Sequence, residues 1–177
     1  MSQHLHVDAL DIIYPLWCIE SAFTVIRHPW DRLVSEFLYH QKQTDSPADL
    51  TNGERFQSFL NRWLDVIFDA VESDLNAFDN HLRPQTYFVD ERVDVFTLDN
   101  LHLARLYLQN KLMMSIYPGD LLNERLNTTH DFLPVKARPG RGSEEAILNS
   151  KNYKRYLALY DADAELYRKT ILKETTK

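Results

Sequence analysis

The sequence predicts an α/β fold in which strands alternate with amphipathic helices, and three observations carry that prediction. Residues 23–26, FTVI, form a run of apolar and β-branched side chains that suits a strand buried on both faces. Apolar side chains recur every three or four positions through residues 30–38, 56–71 and 153–171, the spacing of helices with one face on a core. With 177 residues, 44% hydrophobic and 12% aromatic, the chain can bury such a core. No internal repeat or low-complexity segment divides it, so residues 1–177 read as a single domain.

Arg27 follows the first strand directly, and Pro29 suits the first turn of the next helix, where its missing N–H costs nothing. The backbone N–H groups after it then point toward an anion held at the strand end. At about 100° per residue, Trp30, Leu33, Val34, Phe37 and Leu38 form one apolar stripe, and Ser35 lies about 130° from its centre. Ser35 is thereby left to bond something other than the core. Residues 41–49 are polar and include Ser46-Pro47, which predicts a surface loop bordering an acceptor site. The helix over 51–71 opens with a Thr51-x-x-Glu54 capping box and sets Phe56, Phe59, Leu60, Trp63, Leu64, Ile67 and Val71 on its core face.

Further along, NHLRPQTYFV at residues 80–89 is a proline-stiffened polar loop leading into Tyr87, Phe88 and Val89, which puts its donors beside a buried element. A helix over 101–114 is stopped by Tyr117-Pro118-Gly119. Residues 133–142, LPVKARPGRG, carry Lys136, Arg138 and Arg141 with no acid among them. Such a loop serves either to close over a phosphate or as a basic connector. Tyr153, Tyr156, Leu157, Tyr160, Ala164, Tyr167 and Ile171 read as the core face of an end helix, with Asp161 capping a last helix.

The stretch FTVIRHPWDRLVS, residues 23–35, resembles the R-x-P-[WY]-[DE]-R-L-V-S motif of sulfotransferases that use 3′-phosphoadenosine 5′-phosphosulfate (PAPS), specifically the carbohydrate-type family of uronyl 2-O and chondroitin enzymes. Arg27 and Ser35 match the two positions that grip the 3′-phosphate in that family. HLHVDAL, residues 4–10, is similar to the H-x-H-V form of the uronyl enzymes and makes His6 the first and His4 the second candidate for the base. A sugar hydroxyl is a poor nucleophile near neutral pH, and an imidazole with a pKa near ~6.5 can take its proton as the new S–O bond forms.

His81, Pro84 and Gln85 match the family's H-x-x-P-Q segment, so the resemblance implies that His81, Arg83 and Gln85 contact the acceptor or the nucleotide. VDVFTLDNL, residues 93–101, resembles the strand-to-helix junction D-x-[VI]-x-x-x-E-N-L, with Asp99 in place of glutamate and read as a helix cap. The basic residues Lys136, Arg138 and Arg141 match the family weakly and stand as secondary nucleotide ligands. The resemblance runs from about His4 to YDADAELYRK and implies a P-loop-NTPase-like three-layer sandwich with a mostly parallel central sheet. It implies in-line sulfuryl transfer from PAPS to a hydroxyl, that of a carbohydrate, with no covalent enzyme intermediate and no metal.

One part of the family pattern is unmatched. The strand, lysine loop and helix that bind the 5′-phosphosulfate, written K-[TV]-[GA]-[GS]-[TS]-S, belong before the histidine pair, yet no Lys precedes Lys42 and no Gly precedes Gly53. The expectation is an N-terminally incomplete domain whose first βα unit is missing or supplied elsewhere, with an open strand edge that favours self-association. The absent lysine would neutralise charge on the leaving phosphate, so the alternative is a non-catalytic relative that keeps the 3′-phosphonucleotide pocket. A kinase-type P-loop enzyme is a further competitor, but no G-x-x-x-x-G-K-[ST] occurs.

Charge and composition narrow the remaining classes. A net charge of −6 argues against a general nucleic-acid partner. No apolar run approaches the ~18–20 residues of a membrane helix and no signal-peptide pattern opens the chain, which makes the cytoplasm the expected location. Cys18 is the sole cysteine, allows no internal disulfide and reads as core packing in a reducing compartment. His102 and His130 lack spaced partners for a metal site.

Overall fold

The computed structural model describes residues 7–14, 21–43, 52–112 and 139–176. In chain order the elements are α1 (Val7–Ile13), β1 (Ala22–Ile26), α2 (Pro29–Lys42), α3 (Gly53–Ser73), β2 (Val93–Thr97), α4 (Leu101–Leu112), α5 (Glu144–Ile147) and α6 (Ser150–Thr175). Single 3₁₀ turns lie at Ala77–Asn80, Gln85–Phe88 and Leu98–Asn100. The architecture is mostly helical α/β with a sheet of two parallel strands. Its described residues divide into two compact units, one drawn from 28–84 and 139–164, the other from 7–27, 85–112 and 165–176.

The first unit holds the larger core. Trp30, Leu33, Val34, Phe37 and Leu38 of α2 are all buried, as their spacing predicts, against Phe56, Leu60, Leu64, Ile67, Phe68 and Val71 of α3. Leu82, Leu148, Tyr156 and Tyr160 close the cluster, while Phe59 and Trp63, predicted on the same face, are only partly buried at its rim. Phe37 meets Phe56 edge-on at 5.5 Å and Trp30 meets Tyr156 edge-on at 5.9 Å. Such pairs add about 0.5–1.5 kcal/mol each beyond their buried area.

Polar side chains fasten the ends of these helices. Asn52, not Thr51, caps α3: its Oδ1 accepts the N–H groups of Glu54 at 2.9 Å and Arg55 at 3.2 Å, which fixes the first turn one residue later than the capping-box pattern implied. Thr51 itself lies outside the described residues. Asn149 Oδ1 accepts the N–H of Asn152 at 2.8 Å and starts α6, and the buried Asn152 amide donates back to the Asn61 carbonyl on α3 at 3.0 Å. α6 then runs unbroken for 26 residues, so Asp161 sits in a helix interior instead of capping a new one. No glycine or proline interrupts that span, which leaves nothing to end the helix there.

In the second unit β1 and β2 run parallel, in register from Ala22 opposite Val93 to Ile26 opposite Thr97. Tyr107 of α4 covers Phe23 at 6.0 Å and Phe96 at 5.3 Å between ring centroids. Only Ile26 of β1 is buried and Phe23 is 41% exposed, so the strand is less enclosed than an uninterrupted apolar run predicts. Among the described residues β1 has one strand neighbour, and a two-stranded sheet cannot shield both edges and both faces.

The junction between β2 and α4 is tied to the last turns of α6. The Leu98–Asn100 turn is fastened by Glu174 near the end of α6, which accepts the Thr97 N–H at 2.8 Å, the Thr97 hydroxyl at 2.6 Å and the Asn100 amide at 3.0 Å. Asp99, read from the sequence as a helix cap, receives the Tyr167 hydroxyl. No helix among the described residues is long and apolar enough to cross a membrane.

Candidate functional site

At the end of β1 the main chain is finished by a side chain. The Arg27 N–H donates to Gln85 Oε1 at 2.8 Å, and Gln85 Nε2 donates to the Arg27 carbonyl at 2.8 Å. A primary amide has one acceptor and one donor face, and here it supplies both sides of the rung that another strand would supply. Gln85 is buried for this purpose, and Arg27 is held half-buried directly after the strand. Gln85, read from its motif as an acceptor or nucleotide contact, therefore acts on the backbone of the foremost phosphate candidate.

In the other unit, α2 begins at Pro29 with His28 as its N-cap residue, whose side chain makes no cap hydrogen bond. The first-turn N–H groups and the helix dipole make this end receptive to an anion. Asp31 in that turn accepts the Arg141 Nε–H at 2.7 Å, which brings the last residue of the basic trio to the helix start. Ser35 follows further along α2, half-buried and off the core stripe as predicted. Lys136 and Arg138 lie outside the described residues, as do His4, His6 and Cys18.

Arg32 and a left-handed turn organise the next layer. Phe78, Asp79 and Asn80 have φ of 57°, 53° and 66°, the left-handed region that reverses the chain's local course. Arg32 fastens the end of this turn and the residues after it: its guanidinium donates to the carbonyls of Asn80 at 3.3 Å, His81 at 2.5 Å and Arg83 at 2.7 Å. Burial pushes its pKa down from the usual arginine value, partly offset by Tyr160, Asp163 and Glu36. A desolvated cation needs this many acceptors, and a fork of N–H groups is suited to provide them.

The turn carries two of the predicted residues. Arg83 is buried and donates to Asn76 Oδ1 at 3.1 Å, so its side chain serves the turn that holds it. His81 presents Nδ1 at 3.4 Å from each carboxylate oxygen of Glu36 on α2. α2 is thus the common element: Asp31, Arg32 and Glu36 face, in order, the basic loop, the carbonyls and the imidazole, and Ser35 lies half-buried between the last two.

Sequence spacing missed Arg32 and Glu36. The two are four residues apart, off the apolar stripe and on either side of Ser35, and that pattern on a helix face was the available signal. What it does not contain is the partner, which lies more than forty residues along the chain in both cases.

No curated protein and no solved structure matches the chain. Residues 19–98, somewhat less than half of it, match the profile of the Sulfotransferase family, and that similar stretch takes in β1, α2, the H-x-x-P-Q segment and β2.

Proposed function

We propose that this chain transfers a sulfuryl group from PAPS to the hydroxyl of a carbohydrate. One observation carries the reading: within the residues similar to sulfotransferases, the segment from Arg27 to Ser35 folds as a strand end, a proline at the first helical position and a helix with a serine off its core face. Arg27 and Ser35 are the proposed ligands of the 3′-phosphate, with Arg141, Lys136 and Arg138 as further cations for the nucleotide. His81, Arg83 and Gln85 border the acceptor, and Gln85 and Arg83 serve it through the backbone they hold. The acceptor oxygen attacks sulfur in line with the departing phosphate, without a covalent enzyme intermediate or a metal. An imidazole takes the acceptor proton, and motif order offers His6 and then His4 for it. The parallel pair of strands with α4 fits part of a P-loop-like three-layer sandwich in a cytoplasmic enzyme.

Calorimetric titration with the bisphosphate product, 3′-phosphoadenosine 5′-phosphate, tests the reading. Arg27→Ala is expected to weaken binding by roughly 2–4 kcal/mol, the scale of a lost charge-assisted pair, and Ser35→Ala by about 1 kcal/mol. Unchanged affinity in both variants overturns it. Tight product binding without turnover of PAPS on any carbohydrate instead supports a non-catalytic relative that keeps the 3′-phosphonucleotide pocket.

A further inference from the structure

His81 is built as a proton acceptor needs to be. Its main chain is fixed on both sides: the N–H donates to the Phe78 carbonyl at 3.0 Å, and the carbonyl receives the Arg32 guanidinium at 2.5 Å. Its ring is set by Glu36, whose carboxylate oxygens both lie 3.4 Å from Nδ1. A carboxylate there selects the tautomer protonated at Nδ1 and puts the basic lone pair on Nε2, the arrangement of a general base with an orienting acid. A distance of this kind is long for a catalytic hydrogen bond and normal for a site that tightens only around its substrate. The side chain of His81 is 37% exposed, enough for an acceptor hydroxyl to reach the ring. Glu36 directly follows Ser35, so the pair is mounted on the helix that carries a proposed nucleotide ligand.

We infer that His81, oriented by Glu36, takes the acceptor's proton during sulfuryl transfer, a role for which His6 is the competitor. This rests on the sulfotransferase reading above. The acceptor oxygen forms its bond to sulfur while the bond from sulfur to the 5′-phosphate oxygen breaks, the electron pair leaving on the phosphate. The hydroxyl proton passes to Nε2. Glu36 stabilises the resulting imidazolium, which returns the proton to water after the product departs. Glu36 is a positioning residue in this scheme and His81 a catalytic one.

The test uses the full chain with PAPS as donor and chemically desulfated chondroitin and heparan chains as acceptors. His81→Asn keeps an amide donor for Glu36 but has no basic nitrogen, and it is expected to lower kcat by ~10²-fold or more while product affinity stays within about twofold. Glu36→Ala is expected to lower kcat by about tenfold and to move the His81 ring ¹⁵N shifts away from the Nδ1-protonated pattern, a change that mere loss of packing does not produce. If His81→Asn does not fold, His81→Gln carries the same measurement. Undiminished turnover in the folded His81 variant, or a ~10²-fold loss in His6→Ala with His81→Asn intact, overturns the inference and leaves sulfuryl transfer standing. Product binding by the wild type without turnover of either polysaccharide also overturns it, with the nucleotide reading intact. Absence of both binding and turnover removes the inference and its foundation together.

Discussion

Gln85 holds both polar groups of one residue's main chain, so its replacement costs more than a glutamine's usually does. Gln85→Ala leaves the Arg27 N–H and carbonyl without that partner at a half-buried position, with an expected loss of about 1–3 kcal/mol in urea unfolding. Product affinity is expected to fall with it, because Arg27 is the proposed phosphate ligand. Gln85→Glu retains an acceptor but turns a carboxylate oxygen toward the Arg27 carbonyl, and is expected to be the worse of the two. Arg32→Met removes the guanidinium's hydrogen bonds to three carbonyls, of which that of Asn80 keeps the Arg83 N–H, at an expected cost of about 2–4 kcal/mol by the same measurement. Arg32→Lys restores the charge without the planar fork and should fall between wild type and Arg32→Met. The motif H-x-x-P-Q made His81 and Gln85 visible in the sequence, but not what they hold. Gln85 and Arg27 are 58 residues apart, and only the folded path joins them.

Helices were the most legible elements, because an apolar stripe states both the period and the buried face. α2 buries the five side chains its stripe names; the helix beginning after Asn52 follows the same logic except at its rim, and α6 buries Tyr156, Tyr160 and Tyr167 of its predicted face but leaves Leu157 exposed. Their ends were less legible. Thr51 and Asn52 are both good capping residues, and choosing between them needs the backbone turn; Asp161 is a good cap in a place where the helix has no reason to stop. The strand at residues 22–26 was recognisable from its composition, whereas its exposure depends on neighbours that composition cannot list. α6 also yields a pH dependence. Burial raises the pKa values of Tyr156 and Tyr160 well above that of a free tyrosine, and Tyr160 donates its hydroxyl to the Leu82 carbonyl at 2.7 Å. Below about pH 10 both phenols are protonated whether the chain is folded or not, and their contribution is fully present. As pH rises past that point the unfolded chain ionises first, so stability drains away until the raised folded values are passed. Guanidinium midpoints measured between pH 8 and pH 12 should therefore decline on the alkaline side, and Tyr156→Phe should flatten the decline.

Across the whole molecule, α6 is one covalent and hydrogen-bonded element that gives residues up to Ala164 to one compact unit and the rest to the other. A proline at that position removes a helix hydrogen bond and clashes with the preceding turn, a cost of ~3 kcal/mol or more. Ala164→Pro is expected to raise amide exchange in both units, and a rise confined to one would show that their stabilities are separate. Charge supports a second whole-chain expectation: with a net −6, binding to bulk double-stranded DNA should be undetectable by mobility shift at physiological salt, even where a nucleotide binds. Glu174 has a further consequence, which concerns digestion. An exopeptidase that trims the residues after Glu174 leaves the hydrogen bonds of Glu174 to Thr97 and Asn100 in place. Removal of one residue more withdraws the acceptor of the fully buried Thr97 N–H and hydroxyl and of the Asn100 amide in a single cut. Shortening from that end is thus tolerated up to a sharp limit, and a degradation product that keeps residue 174 and one that has just lost it are, physically, different proteins.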